Sequence, residues 1–131
     1  MEDSILLEIL KEMQKKYQCM SEIERITREV GEFLSRNDST SVQMLLGMRQ
    51  DEMDKVDLFD KNIRCLISVL PQAETDQVEY WMRGQENLRP NGQISEKIIE
   101  KGKDIQQILQ RTIEIDKYIS MRIAGTHSFY N

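Results

Sequence analysis

Histidine occurs once in this sequence of 131 residues, cysteine and proline twice each, and glycine six times. Each shortage removes a class of chemistry. A single His127 cannot supply the paired Glu-x-x-His motifs of a di-iron helical bundle. Two separated cysteines, Cys19 and Cys65, offer neither a zinc-ligand spacing nor a disulfide framework, and both read as small apolar fillers. The glycines form no P-loop and no G-x-G-x-x-G. Carboxylates are plentiful, but they punctuate the outer faces of helical patterns, where solvation and i,i+4 pairing account for them. No catalytic constellation, metal or cofactor is expected.

Long apolar runs are also missing. None approaches the ~18 residues that span a bilayer, so no membrane insertion is expected. The opening "MEDSILLEIL" is acidic where a signal peptide would be basic, which makes a cytoplasmic location the expectation. Basic runs stop at Lys15-Lys16 and the net charge is −5, so a nucleic-acid partner is not expected. Aromatic residues make up only 6%, too few for an aromatic-rich β-core.

What the chain has is charge (31%) and apolar residues at helical spacing. The first segment repeats as a heptad through Leu6, Ile9, Met13, Lys16, Met20, Ile23, Thr27, Val30 and Leu34, widened by Ile5, Leu10, Tyr17, Ile26 and Phe33. A widened stripe suits a bundle better than a two-stranded coil. The second runs through Val42, Leu45, Arg49, Glu52, Val56, Phe59, Ile63, Leu66 and Leu70, and Pro71 stops it. The last is isoleucine-rich, from Ile94 through Ile98, Ile105, Ile108, Ile115 and Ile119, with Gly125 placed to end it. The reading is one all-α domain over 1–131: an antiparallel helical bundle or coiled-coil-like hairpin. Its helices are expected at 3–36, 40–70 and 94–124, with a short connecting helix at 74–84 and a tail at 125–131. "ENLRPNGQ" reads as a loop. The direction of the last helix relative to the second stays open. Gly102, inside the last pattern between Lys101 and Lys103, predicts a weakened helix at a cost of about 1 kcal/mol relative to alanine.

The stretch "NDSTSVQMLLGMRQDEMDKV", residues 37–56, is the most informative. Asp38, Ser39 and Thr40 offer cap acceptors, and Thr40 with Gln43 fits a capping box. Further on, the stripe turns polar at Arg49 and Glu52, level with polar Thr27 on the first helix. Pairing of Arg49 with Glu29 and of Arg25 with Glu52 is expected there, as a device that sets hairpin register. Methionine occurs eight times, which fits either core filling or an adaptable groove for a partner helix. Tyr80-Trp81 poses the same choice, between capping the bundle and anchoring an interface.

Residues 5–70, and above all "FLSRNDSTSVQMLLGMRQDEMDKVDLFDKNIRCLISVLP", resemble the flagellar export chaperones of the FlgN type. The residues that carry the likeness are Asp38, Leu45-Leu46, Arg49-Gln50, Met53, Val56 and Phe59; the C-terminal half shares overall length and a long final helix. The resemblance implies a non-enzymatic, cytoplasmic chaperone that binds hook–filament junction proteins and delivers them to the flagellar type III export apparatus. It also implies client contact along the final helix, here through Ile98, Ile105, Ile108, Ile115 and Ile119. Two other readings stand beside it: a filament-cap chaperone of similar size, and a coiled-coil adaptor that self-associates. Homo-oligomerisation is left open.

Overall fold

The first heptad segment forms α1 (Asp3–Ser35) and the second forms α2 (Ser39–Ile67). The computed structural model describes residues 3–85 and 92–130, with backbone alone from 123 to 130. Only Arg36, Asn37 and Asp38 join the two helices. Asn37 adopts φ 58°, the left-handed region that asparagine tolerates. That turn lets the Asp38 amide bond the Phe33 carbonyl at 3.0 Å and the Asn37 amide bond that of Leu34 at 3.1 Å, a Schellman ending. Asp38 then caps α2, accepting from the Ser41 amide at 3.1 Å and the Ser41 hydroxyl at 2.7 Å. These bonds hold its carboxyl below the usual carboxylate range. The cap is thus Asp38, one turn shared with Ser41, and the capping box expected at Thr40 does not form because Thr40 is already inside the helix.

α2 ends at Ile67, short of Pro71. The proline instead starts α3 (Gln72–Met82), its φ of −58° being ready for a helical first turn. α3 closes with a second Schellman turn: Gly84 sits at φ 76°, and Gln85 donates to the Tyr80 carbonyl at 3.0 Å. Residues 86–91, most of the expected loop, lie outside the described residues. α4 (Gln93–Tyr130) begins where the Gly92 carbonyl accepts from the Glu96 amide and from the buried Ser95 hydroxyl. It continues as helix through Gly125, so the expected stop and tail are not seen up to Tyr130. Among the described residues there are four helices and no strand: the fold is an all-α helical bundle.

Contacts between helices settle the direction left open above. Lys101 lies 4.4 Å over the Tyr17 ring, and Arg111 pairs with Glu24 at 2.8 Å. A side chain at Gly31 would meet Ile119. Numbers rise together on both helices, so α4 runs parallel to α1 and antiparallel to α2. α1 packs closely against both α2 and α4, whereas α2 and α4 are not closely packed against each other. α3 packs on α4.

The core divides into two unequal tiers. The larger joins all four helices through Leu6, Ile9, Met13, Ile63, Trp81, Ile98 and their neighbours. The smaller, near the α1–α2 turn, has Ile26, Val30, Val42, Leu45 and Ile119 from only three helices. In the larger tier α3 stands at the corner between α2 and α4. α3 ends at the level of Gly102 to Gln106, so from Met20 and Val56 up to the α1–α2 turn that corner holds no described helix.

Gly102 is helical, buried, and pressed against the end of α3. A β-carbon there would overlap the Met82 carbonyl oxygen and come within 2.7 Å of the Gly84 amide nitrogen. Glycine at this position is a packing requirement, not the weak point that helix propensity suggests. Trp81 is wholly buried, so it is a core residue, while Tyr80 stays partly exposed under Arg83. The methionines split: Met13 and Met20 are buried, and Met44, Met48, Met53 and Met121 are exposed. Cys19 is buried, and burial together with the nearby Glu52 pushes its thiol up to about 11. Cys65 is exposed, contrary to the filler reading, because it lies on the outer face of α2.

Candidate functional site

The polar break in the α2 stripe lies at the top of the half-empty corner. Arg49 Nη1 donates to the Thr27 hydroxyl at 3.2 Å and pairs with the Asp116 carboxylate at 2.8 Å. Thr27 is fully buried, and its hydroxyl donates to the Ile23 carbonyl at 2.6 Å. A polar layer therefore exists at the expected level, with different partners. Glu29 instead pairs with Arg25 on its own helix, Arg25 also binds Glu22, and Glu52 pairs with Lys55. The acid that Arg49 uses comes from α4, which could not be placed without knowing the direction of that helix.

Replacing Arg49 with methionine keeps most of the packing and removes the pair. The expected loss is about 1 kcal/mol, because Asp116 is half exposed and solvent screens it. A double-mutant cycle with Asp116→Asn, read by urea unfolding, should return a coupling of roughly 0.5–1 kcal/mol. A coupling indistinguishable from zero would show that the pair sets nothing.

Below this layer, α2 and α4 leave a groove floored by Met20 and Ile23 of α1. Met53 and Val56 form one wall, and Leu109, Thr112 and Ile113 form the other. Its volume is about 260 Å³. Met53, Leu109 and Ile113 are large apolar side chains that are 44%, 40% and 38% exposed, so the lining is open to solvent and not a sealed void. The lower end is crossed by a second polar contact, Lys16 with Asp60 at 2.8 Å. Lys16 and Thr27, the two polar positions in the α1 heptad, thus bracket an apolar floor about 16 Å long. Beyond Lys16 a further hollow of about 500 Å³ reaches the end of α3, where Arg64, Glu79 and Arg83 face it.

The five isoleucines expected to meet a client lie elsewhere. Ile98, Ile105 and Ile108 are buried in the larger tier and Ile119 in the smaller one, while Ile115 is half-buried against the latter. They are committed to α1 and α3 in this structure. Ile115 and Ile119 reach one wall of a separate hollow of about 610 Å³ between α1 and α4, where Leu34 and Tyr118 line it together with the charged Arg28, Glu32 and Arg122. The groove-facing residues of α4, Leu109 and Ile113, lie just beside the expected stripe. A wide apolar stripe hides which flank is covered by the chain itself, so spacing alone could not separate them.

Among the described residues no group of three or more His, Cys, Asp or Glu side chains comes together as metal ligands would. The side chains of His127 and its neighbours lie outside the described residues. No helix of the described residues is long and apolar enough to cross a membrane. The class so defined is an all-α bundle with one corner only half filled. Comparison with protein-family models, with curated proteins and with solved structures finds no match to this chain.

Proposed function

We propose that the chain is a chaperone that shelters an amphipathic helix of a partner in the groove between α2 and α4. The clients are flagellar hook–filament junction proteins, held in the cytoplasm and delivered to the type III export apparatus. The observation that carries this reading is the open apolar wall of Met53, Leu109 and Ile113 at a corner where a fourth helix is missing. A helix laid there completes a four-helix layer and covers surface that water now touches. The likeness of residues 5–70 to the FlgN-type chaperones supplies the identity of the client. Binding through the buried isoleucines would require α4 to leave α1, exposing side chains worth about 1.5–3 kcal/mol each. The groove needs no such opening.

The test is co-purification with a junction protein. Ile113→Glu and Met53→Glu change exposed positions, so the fold should survive while the complex weakens more than tenfold. Met44→Glu, 62% exposed and outside the groove, should bind as the unaltered chain does. A full-strength complex with Ile113→Glu would sink the groove assignment. Capture of a filament-cap protein instead would transfer the same groove to that client. A tight homo-oligomer that protects Leu109 and Ile113 would favour the self-associating adaptor.

A further inference from the structure

The groove is not neutral along its length. At its lower end Asp57 lines it, exposed, with no hydrogen bond or ion pair to any described residue. Of its charged neighbours, Asp54 accepts from Gln50 at 2.9 Å, Asp60 is taken by Lys16 and Lys55 is turned to Glu52, while Lys61, one turn on, makes no ion pair with it. At the upper end Arg49 uses Nη1 for both Thr27 and Asp116, and its Nε and Nη2 donors bond no described residue. Arg49 and Asp57 stand about 12 Å apart along α2, two helical turns. Between them the walls are apolar, apart from Thr112.

We propose that the occupant is an amphipathic helix with a coded stripe. It carries a basic residue at the end that meets Asp57, and a carboxylate or amide two turns away at the end that meets Arg49. Two or three apolar residues lie between. The proposal rests on the groove reading above and adds the chemistry of the partner. A positive charge beside Asp57 finds an unpaired carboxylate, and an acceptor beside Arg49 finds donors already in place. A second copy of this chain fits poorly. Its own exposed α2 stripe of Met44, Met48 and Leu58 carries Asp51 and Lys55 only one turn apart, with no apolar residue of the stripe between them. The pair does not match the two-turn spacing of Arg49 and Asp57, and Lys55 is already taken by Glu52.

The test uses the full chain and two capped synthetic helices with leucine anchors. Both have Glu at one end of the apolar stripe; two turns later one has Lys and the other Glu. Fluorescence anisotropy should show the Lys peptide binding the chain about threefold more tightly, as expected for a rim ion pair. The Asp57→Lys variant, altered at an exposed position, should invert that order. Both peptides binding with one unchanged order in the two proteins would overturn the charge code and leave the groove standing. Binding of neither peptide would overturn the groove reading as well. A dimer in sedimentation that dissociates as peptide is added would make a second copy the native occupant and overturn the proposal.

Discussion

Replacing Trp81 with alanine is expected to cost about 3–5 kcal/mol, a large share of the stability of a domain this size. The indole is the largest side chain that is fully buried, and it belongs to the tier where all four helices meet. α3 has only two buried residues, Val78 and Trp81, so the indole supplies most of what fastens this short helix to the bundle. Truncation leaves a cavity that α3 cannot fill without leaving its place, since the end that carries the indole is set against Gly102 through Met82 and Gly84. Urea unfolding followed by circular dichroism measures the loss, because the variant has no tryptophan left to report fluorescence. A cost below about 1 kcal/mol would mean that α3 is not part of the cooperative core.

The second large effect is one of sign. Helix propensity says that Gly102→Ala should stabilise α4 by about 1 kcal/mol. Packing says the opposite, because the new methyl would overlap the Met82 carbonyl, which is backbone and cannot rotate away. The net expectation is a loss of about 1–3 kcal/mol, accompanied by displacement of α3. Gly84→Ala is expected to be harmful at the same contact, from its φ of 76° and from the Lys103 backbone 3.0 Å away. The two changes break one crossing, so their costs should fall short of additive. A more stable Gly102→Ala protein would refute the crossing.

Much of this fold is legible in residue spacing. The three long helices, the short one and the turn at Asn37–Asp38 follow from heptads, Pro71 and cap chemistry, with ends displaced by a few residues. Two kinds of feature stay hidden. The first depends on where distant elements dock: Arg49 announces a polar layer, but its acid is Asp116, and only the parallel course of α4 beside α1 brings the two together. The second depends on which flank of a stripe is covered. Ile98 and Ile113 share one helix and one chemistry, yet one is wholly buried and the other lines an open groove. Gly102 illustrates both, since its value lies in a contact with α3 that local propensity does not register.

The three-residue link between α1 and α2 has a consequence in time. Closing so short a connection costs little chain entropy, so the hairpin can form as soon as both its helices exist. During synthesis that moment comes before the whole of α4 has emerged, an interval on the order of seconds. For that interval the side of α1 that α4 later covers faces outward. Any amphipathic helix already nearby then competes with the chain's own α4 for the same berth, and the order of arrival decides which one is seated first.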